Sequence, residues 1–181
     1  MSTNQKPAAG RRRALYAAVG VAAGLGGAGL AWWRFAPAEI EPAAEAAVWG
    51  LSFETPAGGQ LAMQGLRGRP LLLNFWATWC PPCVEEMPLL DAFYKEHSPN
   101  GWQVLGLAVD KREPVQSFLV RQPMSFPIAL AGFDGLALSK MLGNRAGGLP
   151  FSVLFGADGA ILNRKIGKLT SQDLAQWRAL K

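Results

Sequence analysis

Cysteine and histidine are scarce in this 181-residue chain, which contains only Cys80, Cys83 and His97. Two cysteines exclude a scaffold that is held together by several disulfides. A disulfide between Cys80 and Cys83 would close a ring so small that its chain-entropy contribution to stability is only about 2 kcal/mol. If the two thiols pair, they therefore do so for chemistry and not for stability.

Acidic residues are absent from residues 1–34, and this absence accounts for the net charge of the chain. The sequence has 18 Lys and Arg against 13 Asp and Glu, a net charge of +5. Residues 35–181 hold 13 basic and 13 acidic side chains, so the excess lies wholly in the leader. A nucleic-acid-binding protein needs its positive charge on the folded body, where it neutralises phosphates. The distribution therefore argues against nucleic acid as a partner.

A basic segment at residues 1–13 precedes an uncharged run of 20 residues at positions 14–33. As a helix, this run would extend about 30 Å, the thickness of the hydrocarbon core of a bilayer. Its length and the adjacent Trp32 and Trp33 favour an uncleaved membrane anchor, and the segment Ala36–Ala38 keeps a cleaved signal sequence as the alternative. Because the arginines come before the apolar run, the positive-inside rule predicts that the rest of the chain is exported across a bacterial inner membrane.

The exported part divides into a linker at residues 34–50, rich in Ala, Pro and Glu, and a domain at residues 51–181. Apolar or alternating segments predict strands, and segments with helical periodicity lie between them. The predicted strands are Leu51–Glu54, Gln60–Met63, Leu71–Trp76, Val104–Val109, Phe126–Leu130, Ser152–Phe155 and Ile161–Ile166. The predicted helices are Val84–Glu96, Val115–Arg121, Leu136–Leu142 and Leu174–Leu180, the last of them after a capping box at Thr170 and Asp173.

Strands that alternate with helices predict an α/β sandwich around a central sheet. Glycine turns at Gly58-Gly59 and Asp158-Gly159 predict two hairpins. The sheet must be mixed, because strand-helix-strand units give parallel pairs whereas hairpins give antiparallel ones.

The candidate catalytic segment is Trp79-Cys80-Pro81-Pro82-Cys83, at the predicted junction of a buried strand and a helix. Helix amino termini carry partial positive charge, which favours a thiolate and lowers the pKa of a cysteine thiol. With Cys80 at the cap, Pro81 occupies the first helical position, where its missing N–H costs nothing. We expect Cys80 to be the exposed nucleophile and Cys83 the shielded thiol that resolves a mixed disulfide. Two prolines supply no N–H donors to the thiolate, which favours a reductant.

Three other uses of the cysteine pair stay open at this point. A zinc site would need two more ligands, and the chain offers one histidine. A copper site that combines both sulfurs with His97 is the more serious alternative, because soft thiolates suit Cu(I). A peroxidase would use one cysteine alone as a peroxide-reactive thiolate. For His97 itself, a solvated loop position is favoured, and we expect no bound cofactor or metal.

Glu86 is a candidate proton carrier, because it lies three residues after Cys83 and so on the same helix face. The alternative is a carboxylate that only complements the helix dipole, and Glu85 is expected to face solvent. Trp79 is a candidate rim for substrate docking, whereas Trp76 is expected in the core. Pro88 is expected to kink the helix.

The stretch from Asn74 to Pro88 (Asn-Phe-Trp-Ala-Thr-Trp-Cys-Pro-Pro-Cys-Val-Glu-Glu-Met-Pro) strongly resembles the active site of the TlpA/ResA/CcmG group. These are membrane-anchored, thioredoxin-like thiol-disulfide oxidoreductases, and the resemblance covers residues 51–181. It implies an amino-terminal hairpin, an inserted strand-helix-strand segment at Val104–Leu130 and a cis-proline at Leu149-Pro150 that faces the dithiol. The family's buried active-site glutamate falls on Glu86.

The resemblance also implies partners for the exported domain. They are disulfide-containing proteins, such as apocytochrome c before haem attachment or copper-protein assembly factors, and a membrane thiol protein that supplies electrons. Trp79, Leu149 and Pro150 are the implied substrate-binding residues. Thioredoxin itself has a buried aspartate where this chain has Asn74, which cannot transfer protons. Glu86 is thus the only evident acid or base beside the cysteines.

Overall fold

Seven strands form one mixed sheet in the computed structural model, which describes residues 42–180 of the chain. The strands are β1 (Ser52–Glu54), β2 (Gln60–Ala62), β3 (Leu71–Trp76), β4 (Gln103–Ala108), β5 (Ile128–Leu130), β6 (Phe151–Phe155) and β7 (Ile161–Ile166). The helices are α1 (Pro42–Trp49), α2 (Pro81–His97), α3 (Arg112–Arg121), α4 (Gly135–Met141) and α5 (Ser171–Arg178), with short 3-10 turns at Met63–Leu66, Ser98–Asn100 and Gly132–Asp134. The predicted leader (1–13) and anchor (14–33) lie outside the described residues. Within residues 42–180, no helix is long and apolar enough to cross a membrane.

The strand order is β2-β1-β5-β4-β3-β6-β7. β4 runs parallel to both β3 and β5, whereas the β1–β2, β1–β5, β3–β6 and β6–β7 pairs are antiparallel. The predicted mixed sheet and both predicted hairpins are therefore confirmed. Parallel strands place their carboxyl ends at the same sheet edge, so the segments that follow β3 and β4 lie side by side. This edge carries the cysteines.

The two faces of the sheet carry two separate cores, because successive side chains of a strand point to opposite faces. On one face, Leu72 and Trp76 of β3 pack with apolar residues of α2, α3 and α5. On the other face, Leu71, Leu73 and Phe75 pack with residues of α1 and α4. This arrangement explains the mostly apolar sequence of β3 and β4, since all twelve residues of the two strands are buried.

The structure corrects the predicted linker at its carboxyl end. Residues 42–49 form α1, and both Val48 and Trp49 are buried in the domain core. The indole N–H of Trp49 donates a 3.0 Å hydrogen bond to the carbonyl oxygen of Gly159, and its ring meets Phe155 edge to face. An Ala-rich segment with two adjacent apolar residues has no clear helical period, so only the tertiary contacts identify it as part of the domain.

Helix α2 begins at Pro81, three residues before the predicted start, and continues through Pro88 to His97. Cys80 is its amino-terminal cap residue and Pro81 occupies the first turn, as expected. The predicted capping box of α5 is also present, with the backbone N–H of Thr170 2.7 Å from a carboxylate oxygen of Asp173 and a reciprocal bond to the Thr170 hydroxyl. These two helix starts position the residues described next.

Candidate active site

Cys80 and Cys83 form a disulfide at the amino terminus of α2, with their Cα atoms 5.3 Å apart. Pro81 and Pro82 lie between them in the first turn. The backbone N–H of Cys83 donates to the carbonyl oxygen of Cys80 at 3.0 Å. The helix terminus still surrounds the sulfurs with partial positive charge, which stabilises a thiolate once the disulfide is opened.

Both cysteines are buried in the oxidised state. Cys83 is fully buried and Cys80 is 5% exposed, so the expected exposed position of Cys80 is wrong for the disulfide form, although Cys80 is the more accessible of the two. Both belong to the core cluster that contains Trp76 and Met87. An apolar surrounding of this kind keeps water from the sulfur that a partner thiol must reach.

Glu86 is a buried carboxylate one helical turn after Cys83, with 1% of its surface exposed. Its Oε1 accepts a 2.7 Å hydrogen bond from the Asn74 side-chain amide, and its Oε2 accepts a 2.7 Å bond from the backbone N–H of Leu169. Burial raises the pKa of Glu86 to about 7, because these two bonds and the more distant charges of Lys168 and Lys165 only partly offset the loss of water. The group is thus poised to gain or lose a proton near neutral pH.

Asn74 connects Glu86 to the sheet. Its amide nitrogen also donates to the hydroxyl of Ser152 at 3.0 Å, and Asn74 and Ser152 are direct partners across β3 and β6. Its Oδ1 has no hydrogen-bond partner among the described residues. Sequence reasoning treated Asn74 only as a residue that cannot carry a proton, and it missed Ser152 and Leu169 altogether. The small polar Ser152 within a buried apolar strand was the available signal.

The three predicted substrate-binding residues lie at this edge in different environments. Trp79 is 56% exposed, Leu149 is half-buried against the cysteine cluster, and Pro150 is buried. The Leu149-Pro150 peptide bond is cis, as the resemblance implied. Since Phe151 pairs with Phe75 at the end of β3, the Leu149-Pro150 loop and the segment that leads to Cys80 share one edge of the sheet. Trp76 is fully buried, as expected.

His97 lies at the opposite end of α2 from the cysteines. Fourteen residues separate it from Cys83, which corresponds to about 21 Å along a helix. Its ring packs edge-on against Phe93, with centroids 4.6 Å apart. Within residues 42–180, no cluster of three or more His, Cys, Asp or Glu side chains is arranged to hold a metal ion. The copper site with His97 as third ligand is therefore not formed. Glu85 is exposed and pairs with Lys168 at 2.9 Å.

The comparison with known proteins finds one family and several relatives. The redoxin family model matches residues 45–179. The chain is 33% identical over 119 residues to the thiol-disulfide oxidoreductase ResA of Bacillus cereus, a match that covers 65% of this chain and 66% of the relative. It is 34% identical over 149 residues to the thiol-disulfide oxidoreductase ResA of Halalkalibacterium halodurans, a match that covers 81% of each chain.

Among solved structures, the chain is similar to a thioredoxin-related protein from Neisseria meningitidis serogroup B. The TM-score is 0.64 and the sequences are 28% identical, over 71% of this chain and 96% of that chain. The thioredoxin-like fold with its mixed sheet is thereby confirmed. The matched part spans about two thirds of the length of the Bacillus cereus relative.

Proposed function

Because the chain belongs to the redoxin family and is a thiol-disulfide oxidoreductase of that family, we propose that it reduces disulfides of exported proteins. The observation that carries this proposal is the Cys80–Cys83 disulfide at the amino terminus of α2, beside a buried carboxylate with its pKa raised to about 7. A reductant is favoured because Pro81 and Pro82 leave the thiolate fewer backbone donors than other residues would, which limits the stabilisation of the reduced form.

The reaction begins with the reduced dithiol. The Cys80 thiolate attacks one sulfur of the substrate disulfide, a mixed disulfide forms, and the other substrate sulfur leaves as a thiolate. The Cys83 thiolate then attacks the Cys80 sulfur, which releases the second substrate thiolate and leaves the Cys80–Cys83 disulfide. Two electrons pass to the substrate, and a reduced thiol protein must return them to restore the dithiol.

Glu86 serves the second step. Cys83 is fully buried, so its thiol cannot release a proton directly to water when it becomes the attacking group. Glu86 lies on the same helix face as Cys83 and has a pKa of about 7, so both its ionised and its protonated forms are present at neutral pH. The ionised form can accept the proton of Cys83, and the protonated form can release it again. The Asn74 amide and the Leu169 N–H hold the carboxylate in place for this transfer.

Substrate docking uses the surface formed by Trp79, Leu149 and Pro150. The exposed indole of Trp79 offers an apolar contact, and Leu149 borders the cysteine cluster. Charge steering contributes little, because residues 35–181 have balanced formal charge. Recognition therefore depends on local contacts beside the disulfide.

The proposed location is the periplasmic side of a bacterial inner membrane, with residues 14–33 as a single anchor and residues 1–13 in the cytoplasm. The arginines before an uncharged 20-residue run support this orientation. In that compartment the proposed substrates are the disulfides of apocytochrome c or of the copper-protein assembly factors that the family resemblance implies. A membrane thiol protein would supply the electrons.

Replacement of Cys83 by Ser tests the reaction. We expect the reduced Cys83→Ser protein to form a stable mixed disulfide with a disulfide-containing protein through Cys80, visible as a reducible adduct on a non-reducing gel. Cys80→Ser is the matched control and should form no such adduct, since the remaining thiol is fully buried. A wild-type dithiol that reduces no protein disulfide but binds Cu(I) tightly would contradict the proposal. Rapid peroxide consumption by Cys83→Ser would indicate a peroxidase instead.

A further inference from the structure

Asp110 lies beside the segment that carries Trp79 and Cys80, although it is far from them in sequence. In the parallel β3–β4 pair, Trp76 is in register with Ala108, and the Val109 N–H donates to the carbonyl oxygen of Trp76 at 2.8 Å. Two residues beyond that register, Thr78 follows β3 and Asp110 follows β4. The sheet register therefore brings the Asp110 carboxylate to Thr78, two residues before the attacking cysteine.

Three donors converge on this carboxylate. Its Oδ2 accepts from the backbone N–H of Thr78 at 2.9 Å and from the Thr78 hydroxyl at 2.6 Å. Its Oδ1 accepts from the backbone N–H of Lys111 at 2.8 Å. The Asp110 carboxylate thus joins the segment after β3 to the first residues of the segment after β4. Charge-assisted bonds of this length are about twice as strong as bonds between neutral groups.

The burial of Asp110 is costly. The residue is 5% exposed, and no Lys, Arg or His of the described part of the chain forms an ion pair with it. A buried carboxylate without a cation is less favourable than an apolar side chain of similar size. Stability alone therefore does not account for an aspartate here, whereas the placement of the neighbouring segment does.

Thr78 and Trp79, which lead to Cys80, have few other contacts that fix their position. Thr78 and Trp79 are not part of a strand or a helix, and Trp79 exposes 56% of its surface. The Cys80 N–H donates to the carbonyl oxygen of Ala77 at 3.3 Å, and the Cys80 carbonyl oxygen accepts from the N–H groups of Cys83 at 3.0 Å and Val84 at 3.2 Å, both in the first turn of α2. The two bonds from Thr78 to Asp110 are the shortest hydrogen bonds between this segment and the rest of the domain.

We propose that Asp110 is a positioning residue for the dithiol, which acts through Thr78 to fix the Cys80 sulfur and the Trp79 indole relative to an incoming disulfide. This inference rests on the proposed function and extends it. An error of about 1 Å in the position of an attacking group can lower a rate a hundredfold, so loss of one of the three bonds is expected to lower the rate about tenfold.

The test uses Thr78→Val and Asp110→Asn. Valine has the shape of threonine without the hydroxyl donor. An asparagine at position 110 has to turn its NH2 group toward one of the two backbone N–H donors, whichever way the amide is oriented. In a single turnover, reduced full-length protein should reduce insulin about tenfold more slowly in both variants. Thr78→Ser, which keeps the hydroxyl, should retain the wild-type rate.

Asp91→Asn is the matched control, because Asp91 is also a buried carboxylate that accepts a backbone N–H, that of Ser125 at 2.6 Å, and it lies away from the cysteines. The Asp91→Asn variant should shift the midpoint of urea unfolding without any change in the rate of insulin reduction. Wild-type rates in Thr78→Val and Asp110→Asn would overturn the inference, as would a Thr78→Ser rate as low as that of Thr78→Val.

The inference and the proposed function fail separately. A wild-type protein that does not reduce insulin contradicts the function. Alkylation of Cys80 by iodoacetamide in the reduced protein needs no disulfide substrate, and its rate depends on the position of the Cys80 sulfur. It should also slow in Thr78→Val and recover in Thr78→Ser, and equal alkylation rates in all three proteins would overturn the role of Asp110.

Discussion

Two carboxylates on the same helix behave in opposite ways. Glu86 and Asp91 both lie on α2, five residues apart, and are 1% and 8% exposed. Burial raises the pKa of Glu86 to about 7. Burial also acts to raise the pKa of Asp91, but the hydrogen bonds from Lys95 and from the Ser125 backbone outweigh it and hold that pKa below its usual value.

The two carboxylates differ in the depth of their burial and in the charge of the donors that contact them. Lys95 places its ammonium 2.7 Å from Asp91, one turn along the helix. Glu86 receives its bonds from a neutral amide and a neutral backbone N–H, while Lys168 pairs with Glu85 instead. A cation in contact favours the ionised form, whereas neutral donors only reduce the cost of burial. Deeper burial with neutral donors thus gives a proton carrier at Glu86, whereas shallower burial beside a cation gives a permanent charge at Asp91.

The largest expected effect is on catalysis and comes from Glu86→Gln. A glutamine keeps the shape and can hydrogen-bond to Leu169, but it cannot accept the proton of Cys83. We expect the rate of disulfide exchange at pH 7 to fall about a hundredfold, a typical loss when a proton carrier is removed. Rapid-quench kinetics with a protein disulfide would measure it.

Glu85→Gln is the control for that experiment, since Glu85 is the exposed neighbour and should exchange at the wild-type rate. If Glu86→Gln kept a wild-type rate and the same dependence on pH, Glu86 would not be the proton carrier.

A second prediction concerns stability, for which the two carboxylates should have slopes of opposite sign. The pKa of Glu86 is about 7 in the folded protein, against 4.5 for an ordinary glutamate such as that of the unfolded chain. The folded state therefore binds more protons than the unfolded state between these two pH values. The free energy of unfolding therefore falls as the pH rises from about 4.5 through 7, by about 3 kcal/mol at most from this group. The stabilisation from Asp91 is instead lost as the pH falls through its lowered folded-state pKa.

Urea unfolding of the oxidised protein across pH 3 to 9 would measure both slopes. In Glu86→Gln the decline between about pH 4.5 and 7 should disappear, while the loss of stability at lower pH remains. Unchanged curvature in Glu86→Gln would show that the raised pKa belongs to another group.

The smallest effect is expected from Lys95→Gln, which removes the cation from Asp91. Because the Lys95 side chain is 63% exposed, solvent screens the pair, and we expect a loss of only about 0.5 kcal/mol at neutral pH. The stability curve should lose part of its slope at low pH, and disulfide exchange should keep its rate. A tenfold drop in exchange would contradict the separation of the two carboxylates.

Much of the fold was predictable because its signals are local. Five of the six residues of β3 are apolar, and the Gly58-Gly59 and Asp158-Gly159 turns fix two hairpins. The capping box at Thr170 marks the start of α5. Helix α1 was missed, because its membership of the domain depends on the contact of Trp49 with Gly159, 110 residues away.

The site was predictable in part for the same reason. The spacing of Cys80, Cys83 and Glu86 on one helix is a local property, and so is the position of Cys80 at a helix start. The burial of Cys80, the bond from Asn74 to Glu86 and the contact of Asp110 with Thr78 each depend on residues from different segments of the chain. No pattern within a single segment contains that information.

The sequence by itself determined the dithiol, its place at a helix terminus and the carboxylate one turn later, because these depend on spacings of three residues along one chain segment. Only the tertiary structure decided which carboxylates carry a permanent charge. That property depends on how deeply folding buries the carboxylate and on whether it brings a cation, as at Asp91, or only neutral donors, as at Glu86, to the carboxylate oxygens.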